Sequence, residues 1–295
     1  MKRKSYDTLI VGPCSIDIMI DCNMQQTTLV GGAVIQSGYA AANTGSRTAV
    51  FTKLNVKDAD IYKAFENCNA DVYWKPSKAT TSIRNQYFTQ DKEKRECQLL
   101  SQCDKINLQE IPYVDSSIYH FAGLTVGDFD DEIIKEVHSR GKIAVDVQCL
   151  LRKAEADGEL RFCDWQQKEK YLPYIEFLKT DEAEAEILTG KKDREEAAKQ
   201  LYAWGAKEVM ITHNTEVLIY DGNEIYKCPI KARSLAGRTG RGDTCFAGYI
   251  TRRLQHNIKD SLLFAAALVS LKMETPGPYC GDEEDVQKYI NKFYC

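Results

Sequence analysis

From about residue 115 onward, short apolar runs alternate with amphipathic stretches, and this rhythm constrains the fold more than any other feature. Most of these runs are apolar throughout, which is typical of strands covered on both faces. Strands alternating with helices imply a largely parallel central sheet with helices on both faces, an α/β fold. Strands are predicted at 117–121, 142–147, 175–178, 208–212, 217–220 and 224–228, and helices at 130–139, 181–188, 194–204, 243–254, 259–273 and 283–293.

The part of the chain before residue 105 has a different pattern. An apolar run at 6–11 predicts one more buried strand, but 15–21 and 81–88 alternate between apolar and polar residues. Alternation predicts strands with one face exposed to water. We therefore predict a single domain spanning 1–295, with a small β lid formed by segments at about 13–35 and 78–104.

Composition excludes several classes of protein. The 295 residues carry a net charge of −4 without a long basic run, which argues against a nucleic-acid partner. No stretch approaches the roughly 20 apolar residues that a membrane-spanning helix needs. The eleven cysteines form no Cys-x-x-Cys pair, so a zinc site is not indicated. Their odd number and scatter predict reduced thiols and a cytoplasmic protein.

The segment with the clearest chemical meaning is Gly240-Arg241-Gly242-Asp243, which precedes an amphipathic helix. Closely spaced glycines let successive backbone N–H groups converge, and a helix N-terminus adds its partial positive charge. This arrangement predicts a site that stabilises a phosphoryl group in transfer. Asp243 would act as the base on an acceptor hydroxyl, and we expect the helix end to hold its pKa low.

Taken alone, the same residues are also compatible with a tight turn followed by an aspartate N-cap. The segment is not a phosphate-binding Walker loop, because Gly-x-x-x-x-Gly-Lys-Ser/Thr is absent from the chain. A dinucleotide fingerprint after the first strand is absent as well.

The 239–243 segment is similar to the C-terminal signature of the ribokinase-like (PfkB-type) carbohydrate kinases, usually Asp-Thr-x-Gly-Ala-Gly-Asp, and the resemblance runs over nearly the whole chain. It implies a ribokinase-like fold, ATP and Mg²⁺ as cofactors, and a sugar or polyol acceptor. The family's Asp-Thr is Gly237-Arg238 here, which leaves open whether the chain keeps the monovalent-cation loop of ribokinase. Segments 80–83, 168–174, 235–245 and 273–278 further resemble bacterial myo-inositol kinases.

On the acceptor side, the resemblance implies that Asp17 holds substrate hydroxyls and that Gly31-Gly32 lets the sugar approach the backbone. Asn85 and Asp146 are further candidate substrate ligands from their positions on strands. Each has an ordinary alternative. Asp17 could belong to a solvated strand face, Asn85 could be a polar residue of the lid, and Asp146 could cap a helix.

On the donor side, Asp181 and Glu184 resemble the family's Asn-x-x-Glu motif, which organises Mg²⁺ and its waters. Thr212 matches the threonine of the nucleotide loop, and Arg238 and Thr239 precede the glycines. The guanidinium groups of Arg238 and Arg241 either contact phosphate or point to solvent.

The sequence thus predicts an ATP-dependent kinase of a small polyol or sugar, with myo-inositol as the preferred acceptor and Gly240, Arg241, Gly242 and Asp243 as catalytic residues. A kinase of another sugar or a nucleoside is the nearer alternative. A non-catalytic sugar-binding relative is the more distant one. A homodimer through the lid is a further expectation.

Overall fold

The computed structural model describes residues 3–89 and 95–294. Met1, Lys2 and Cys295 lie outside these ranges, as do residues 90–94 of the predicted lid segment. The described strands are β1 Ser5–Val11, β2 Ser15–Ile20, β3 Gln26–Gly31, β4 Thr48–Leu54, β5 Asp71–Pro76, β6 Thr81–Tyr87, β7 Arg95–Ser101, β8 Asp115–Phe121, β9 Lys142–Asp146, β10 Arg152–Ala154, β11 Leu160–Phe162, β12 Phe177–Asp181, β13 Glu208–Thr212, β14 Glu216–Tyr220 and β15 Ile225–Pro229.

The helices of the described residues connect and cover these strands. They are α1 Ala33–Asn43, α2 Glu132–His138, α3 Gln148–Leu151, α4 Lys168–Tyr171, α5 Glu182–Thr189, α6 Arg194–Ala203, α7 Arg241–Arg252, α8 Ile258–Lys272 and α9 Glu283–Phe293. None of the helices in the described ranges is long and apolar enough to cross a lipid bilayer.

The large sheet has the strand order β15-β14-β13-β12-β9-β8-β1-β4-β5. Its strands from β13 to β5 pair in parallel, whereas β14 and β15 continue the sheet as antiparallel neighbours. Separate apolar clusters pack on the two faces of this sheet. The predicted α/β fold with a largely parallel sheet and helices on both faces is confirmed.

A second sheet has the order β3-β2-β6-β7, and its strands lie within segments 13–35 and 78–104. We refer to it as the small sheet. Along β6 the burial alternates, with Ile83, Asn85 and Tyr87 on the covered face. The alternation predicted from the sequence for this strand is therefore confirmed.

Parallel strands place their carboxyl ends at one edge of a sheet, and that edge positions the functional residues. β9 ends at Asp146, β12 ends at Asp181 and β13 ends at Thr212. The parallel register sets Asp181 beside Thr212 and Lys179 beside Asp146. α7 begins at Arg241, so the glycine segment meets this edge.

Candidate active site

The entrance of α7 depends on backbone angles that favour glycine. Gly240 is the N-cap residue and has left-handed angles, φ 76° and ψ 13°. A Cβ atom at this position would also overlap the side chain of Gln36 on α1. The N-terminal N–H groups of the helix have no partner within the helix, so they form a site for an anion.

A buried lysine lies beside the first turn of α7. A Cβ atom on Gly242 would lie 3.2 Å from the Nζ atom of Lys179, which projects from β12 and is 6% exposed. The ammonium group therefore lies beside the partial positive charge of the helix end. We call Lys179 together with the backbone of Gly240, Arg241 and Gly242 the anion cradle.

Two carboxylates hold Lys179 in its charged form. Its Nζ atom lies 2.8 Å from Oδ2 of Asp146 and 4.0 Å from Oε2 of Glu184. Burial alone would lower the pKa of Lys179, but Asp146 and Glu184 outweigh burial and raise it above the usual range. Asp146, a predicted substrate ligand, is 3% exposed and serves as the ion-pair partner of Lys179 in this structure.

Asp243 is the third residue of α7 and adjoins the anion cradle. Burial raises its pKa, the nearby Asp146 carboxylate raises it further, and Lys179 and Lys272 only partly oppose this. The expectation of a lowered pKa is therefore wrong, because loss of water around the carboxylate outweighs the helix end. A carboxylate with a raised pKa is a better proton acceptor than an ordinary aspartate.

The predicted metal residues form a capping box at the start of α5. The Asp181 side chain accepts a hydrogen bond from the backbone N–H of Glu184, and the Glu184 side chain accepts one from the N–H of Asp181, both at 2.8 Å. Glu184 is 2% exposed, and burial raises its pKa although Lys179 opposes the shift.

These two carboxylates fit a magnesium site of the kind that relies on water and substrate. Within residues 3–89 and 95–294, no group of three or more His, Cys, Asp or Glu side chains is placed to hold a metal ion. Mg²⁺ commonly binds through one or two carboxylates, several waters and substrate phosphates. Glu184 and Asp181 could supply that protein share at the edge of the anion cradle.

The predicted acceptor residues meet where the small sheet joins α1. Ser15 Oγ donates a hydrogen bond to Asp17 Oδ1 at 2.8 Å. A Cβ atom on Gly31 would overlap the Asp17 carboxylate, and Gly32 has φ 109°. Gly31 thus allows the backbone to lie close to a half-buried carboxylate, and Gly32 supplies a positive φ beside the backbone of Pro13.

A guanidinium group near Asp17 was not foreseen. Burial raises the pKa of Asp17, while Ser15 and the positive charge of Arg152 oppose that shift. Asn85 lies on the same small sheet, 8% exposed, and accepts a hydrogen bond from Cys97 Sγ at 3.1 Å. Arg152 and Cys97 also interact electrostatically, so these side chains form one polar group with Asp17.

The three residues predicted to bind nucleotide lie at the end of β13 and just before the N-terminus of α7. Thr212 Oγ1 donates to the carbonyl oxygen of Thr180 at 3.4 Å, so its hydroxyl is directed to the neighbouring strand. Arg238 and Thr239 belong to the loop before Gly240. The Arg238 carbonyl accepts from the backbone N–H of Arg241 at 3.3 Å.

Sequence reasoning missed Lys179, Lys272 and Arg152. The available signal for Lys179 is a lysine inside an apolar strand, two residues before the Asp-x-x-Glu motif. Lys272 similarly ends an apolar helix. A buried lysine needs a partner, so either position could have been singled out as a functional candidate.

Comparison with known proteins identifies the family. The model of the pfkB family carbohydrate kinases matches residues 17–284. A solved pyrophosphate-dependent kinase of the ribokinase family, complexed with a pyrophosphate analogue and myo-inositol, is 31% identical, with a TM-score of 0.87 over 95% of this chain and 99% of that chain.

Two further relatives differ in their acceptors. One is a solved pyrophosphate-dependent myo-inositol 1-kinase that two substitutions convert into a myo-inositol 3-kinase. It is 29% identical, with a TM-score of 0.86 over 98% of this chain and 100% of that chain. The cytidine kinase of Thermococcus kodakarensis is 25% identical over 254 residues, which cover 83% of this chain and 87% of the relative.

Proposed function

The chain belongs to the pfkB family of carbohydrate kinases and is a phosphotransferase, and from this premise we propose that it phosphorylates a hydroxyl group of myo-inositol with pyrophosphate as the donor. The observation that carries the proposal is the position of Asp243 beside a helix N-terminus that also holds a buried lysine. This arrangement combines a proton acceptor with positive charge at the point where a phosphoryl group would transfer.

The acceptor is bound by directional polar groups. Asp17 accepts hydrogen bonds from substrate hydroxyls, and the backbone at Gly31 and Gly32 lies close enough to contact the ring. Burial raises the pKa of Asp17, and Ser15 and the positive charge of Arg152 oppose that rise. A cyclic polyol presents hydroxyl groups around its whole rim, so it can use several such contacts at once.

Asp243 removes the proton from the hydroxyl group that attacks phosphorus. The N–H groups of Gly240 and Gly242 and the Lys179 ammonium bind the oxygens of the transferring group. Because the transition state of phosphoryl transfer is loose, positioning and charge stabilisation supply most of the catalysis. When bound, Mg²⁺ neutralises donor phosphates, and Glu184 and Asp181 would hold it through its water ligands.

Pyrophosphate is favoured as the donor by charge and by similarity. A donor without a nucleoside must be held through its phosphates, and Lys179, Arg238 and Arg241 bring three basic residues to the anion cradle and the loop before it. Two of the similar solved kinases are described as pyrophosphate-dependent.

ATP, the donor that the family resemblance implies, is the second candidate. A cavity of about 370 Å³ lies beside Thr275, whose carbonyl oxygen faces Gly237 in the loop before the cradle. The cavity is lined in part by Tyr279 and Tyr289. The cavity is large enough to bind a nucleobase, and this observation supports ATP as the second candidate donor.

A matrix of donors and acceptors tests this function. We expect the purified protein with Mg²⁺ and pyrophosphate to convert myo-inositol into an inositol monophosphate, detected by phosphorus NMR. ATP as donor, and ribose, fructose, cytidine and adenosine as acceptors, form the other arms. Turnover with ATP alone would overturn the pyrophosphate donor. A lack of turnover in every arm, despite measurable polyol binding, would instead favour a non-catalytic sugar-binding protein.

The pH profile tests the role of Asp243 separately. Its pKa is raised to about 6, and a base works only when deprotonated, so kcat/KM should fall as the pH drops below about 6. Asp146→Asn removes a neighbouring negative charge and should move this limb to lower pH. If the acidic limb of the kcat/KM profile has the same position in Asp146→Asn as in the wild type, the titrating group is the phosphate donor and not Asp243.

We also propose a cytoplasmic location and a homodimer formed through the small sheet. Ten cysteines are free thiols among the described residues, as expected in a reducing compartment.

The proposed dimer would form through the edges of the small sheet. β3 and β7 are the outer strands of the small sheet, and Leu29, Val30 and Leu100 on them are exposed. Sedimentation velocity of the intact protein measures the oligomeric state.

A further inference from the structure

Lys272 places a positive charge under the loop that leads to the anion cradle. It is the last residue of α8 and is 1% exposed. Its Nζ atom donates to the carbonyl oxygen of Gly237 at 2.7 Å and also to that of Thr239. A lysine buried against backbone carbonyls is unusual, since most buried ammonium groups are paired with carboxylates.

The loop around this ammonium group is tightly fixed. The N–H of Gly237 donates to the carbonyl oxygen of Met273 at 2.8 Å, and a Cβ atom on Gly237 would overlap the backbone of Thr275. The loop therefore lies against the C-terminal end of α8, which carries partial negative charge. Carbonyl oxygens that converge at such a place need a hydrogen-bond donor or a cation between them.

Dehydrated monovalent cations are bound in proteins by groups of carbonyl oxygens that replace their water shell. A lysine ammonium is a compact charge with three donors, so it can serve carbonyls in the same way. The loop from Gly237 to Thr239 continues directly into Gly240, the N-cap of α7. The group that binds the carbonyl oxygens of Gly237 and Thr239 therefore influences the shape of the anion cradle.

We propose that the Lys272 ammonium acts as a tethered monovalent cation, which holds the loop before Gly240 in its phosphate-binding form and makes the kinase independent of dissolved K⁺ or Na⁺. This inference rests on the proposed function. Lys272 is a positioning residue, since it acts through the loop. Burial lowers its pKa to about 8 and Asp243 opposes that shift, so the group carries its charge at neutral pH.

The first test uses the intact wild-type protein, with all reagents supplied as tetramethylammonium salts. Activity with pyrophosphate and myo-inositol should be the same with and without KCl or NaCl. Strong activation by K⁺ or Na⁺ in the wild-type protein would overturn the proposal. The melting temperature should likewise not respond to K⁺, and this second measurement does not require turnover.

The second test replaces Lys272 with Met, which keeps the length and removes the charge. We expect kcat/KM for the donor to fall about 100-fold, as when one preorganised electrostatic group is lost. K⁺ or NH₄⁺, but not tetramethylammonium, should restore about tenfold of this loss and raise the melting temperature by binding the folded state. Lys259→Met, an exposed lysine on the same helix, is the matched control.

The outcomes separate the two proposals. A Lys272→Met protein that folds and loses activity without any cation rescue overturns the tethered-cation role and leaves a structural one. If the Lys272→Met protein does not fold, the effect of K⁺ or Na⁺ on the activity and melting temperature of the wild-type protein tests the proposal instead. If no donor and acceptor pair turns over, the proposed function fails, while a K⁺-dependent rise in the melting temperature of Lys272→Met alone would still support the cation role.

Discussion

Asp243→Asn is expected to lower kcat by about 10³–10⁴-fold, near the upper range for loss of a general base. The asparagine has the same shape but cannot accept the proton of the attacking hydroxyl. Binding of the donor to the anion cradle should persist, because the N–H groups of α7 and Lys179 remain. Steady-state kinetics and calorimetric titration with pyrophosphate measure the two effects separately.

The same substitution should not destabilise the protein. The pKa of Asp243 is higher in the folded chain than in the unfolded chain, so above both values the ionised carboxylate opposes folding. At pH 7 the Asn variant should therefore be at least as stable as the wild type. Asp260→Asn is the matched control, because Asp260 is also the third residue of its helix but is exposed. Near-normal turnover of Asp243→Asn would remove Asp243 from the role of base.

Lys179→Met is expected to lower the free energy of unfolding by about 3–5 kcal/mol at pH 7. The substitution leaves the Asp146 carboxylate buried without its ammonium partner 2.8 Å away. The loss should shrink as the pH falls, because the unpaired carboxyl group can then take up a proton. Urea denaturation across a pH series measures both effects.

Two further variants locate the cause of this loss. Lys142→Met breaks a lysine–glutamate pair of the same 2.8 Å length on the neighbouring strand β9, but that pair is exposed. It should cost less than about 1 kcal/mol. The double variant Lys179→Met/Asp146→Asn should regain part of the stability, but not the activity, because the cradle still lacks its cation. An equal loss in Lys142→Met would contradict the importance of burial.

Much of the fold follows from local patterns. The helix at 283–293 is predicted with the bounds that the structure has, and the strand at 208–212 likewise. β12 was predicted to end at Leu178, but it continues through Lys179 to Asp181. A lysine interrupts the apolar run, and only pairing with a carboxylate on the adjacent strand makes its burial favourable.

The candidate site likewise contains residues that the sequence reveals and residues that only the folded structure reveals. The glycines and Asp243 are visible in the sequence because a short motif fixes their spacing. Lys179 and Lys272 come from β12 and α8, and their partners lie on β9 and in the loop before α7. Such pairs are set by the tertiary structure. For the same reason, the raised pKa of Asp243 could not be foreseen, since it comes from burial in the folded protein and from Asp146, which reaches it only through the order of the strands.

One helix links the two halves of the site. β3 of the small sheet ends at Gly31, α1 begins two residues later, and its Gln36 lies against Gly240 while Ser37 Oγ donates to the Asp243 carbonyl oxygen at 3.4 Å. An acceptor that shifted the small sheet would therefore also shift the helix that lies against Gly240 and Asp243. Thermodynamic reciprocity then requires that each ligand alter the affinity of the other by the same factor.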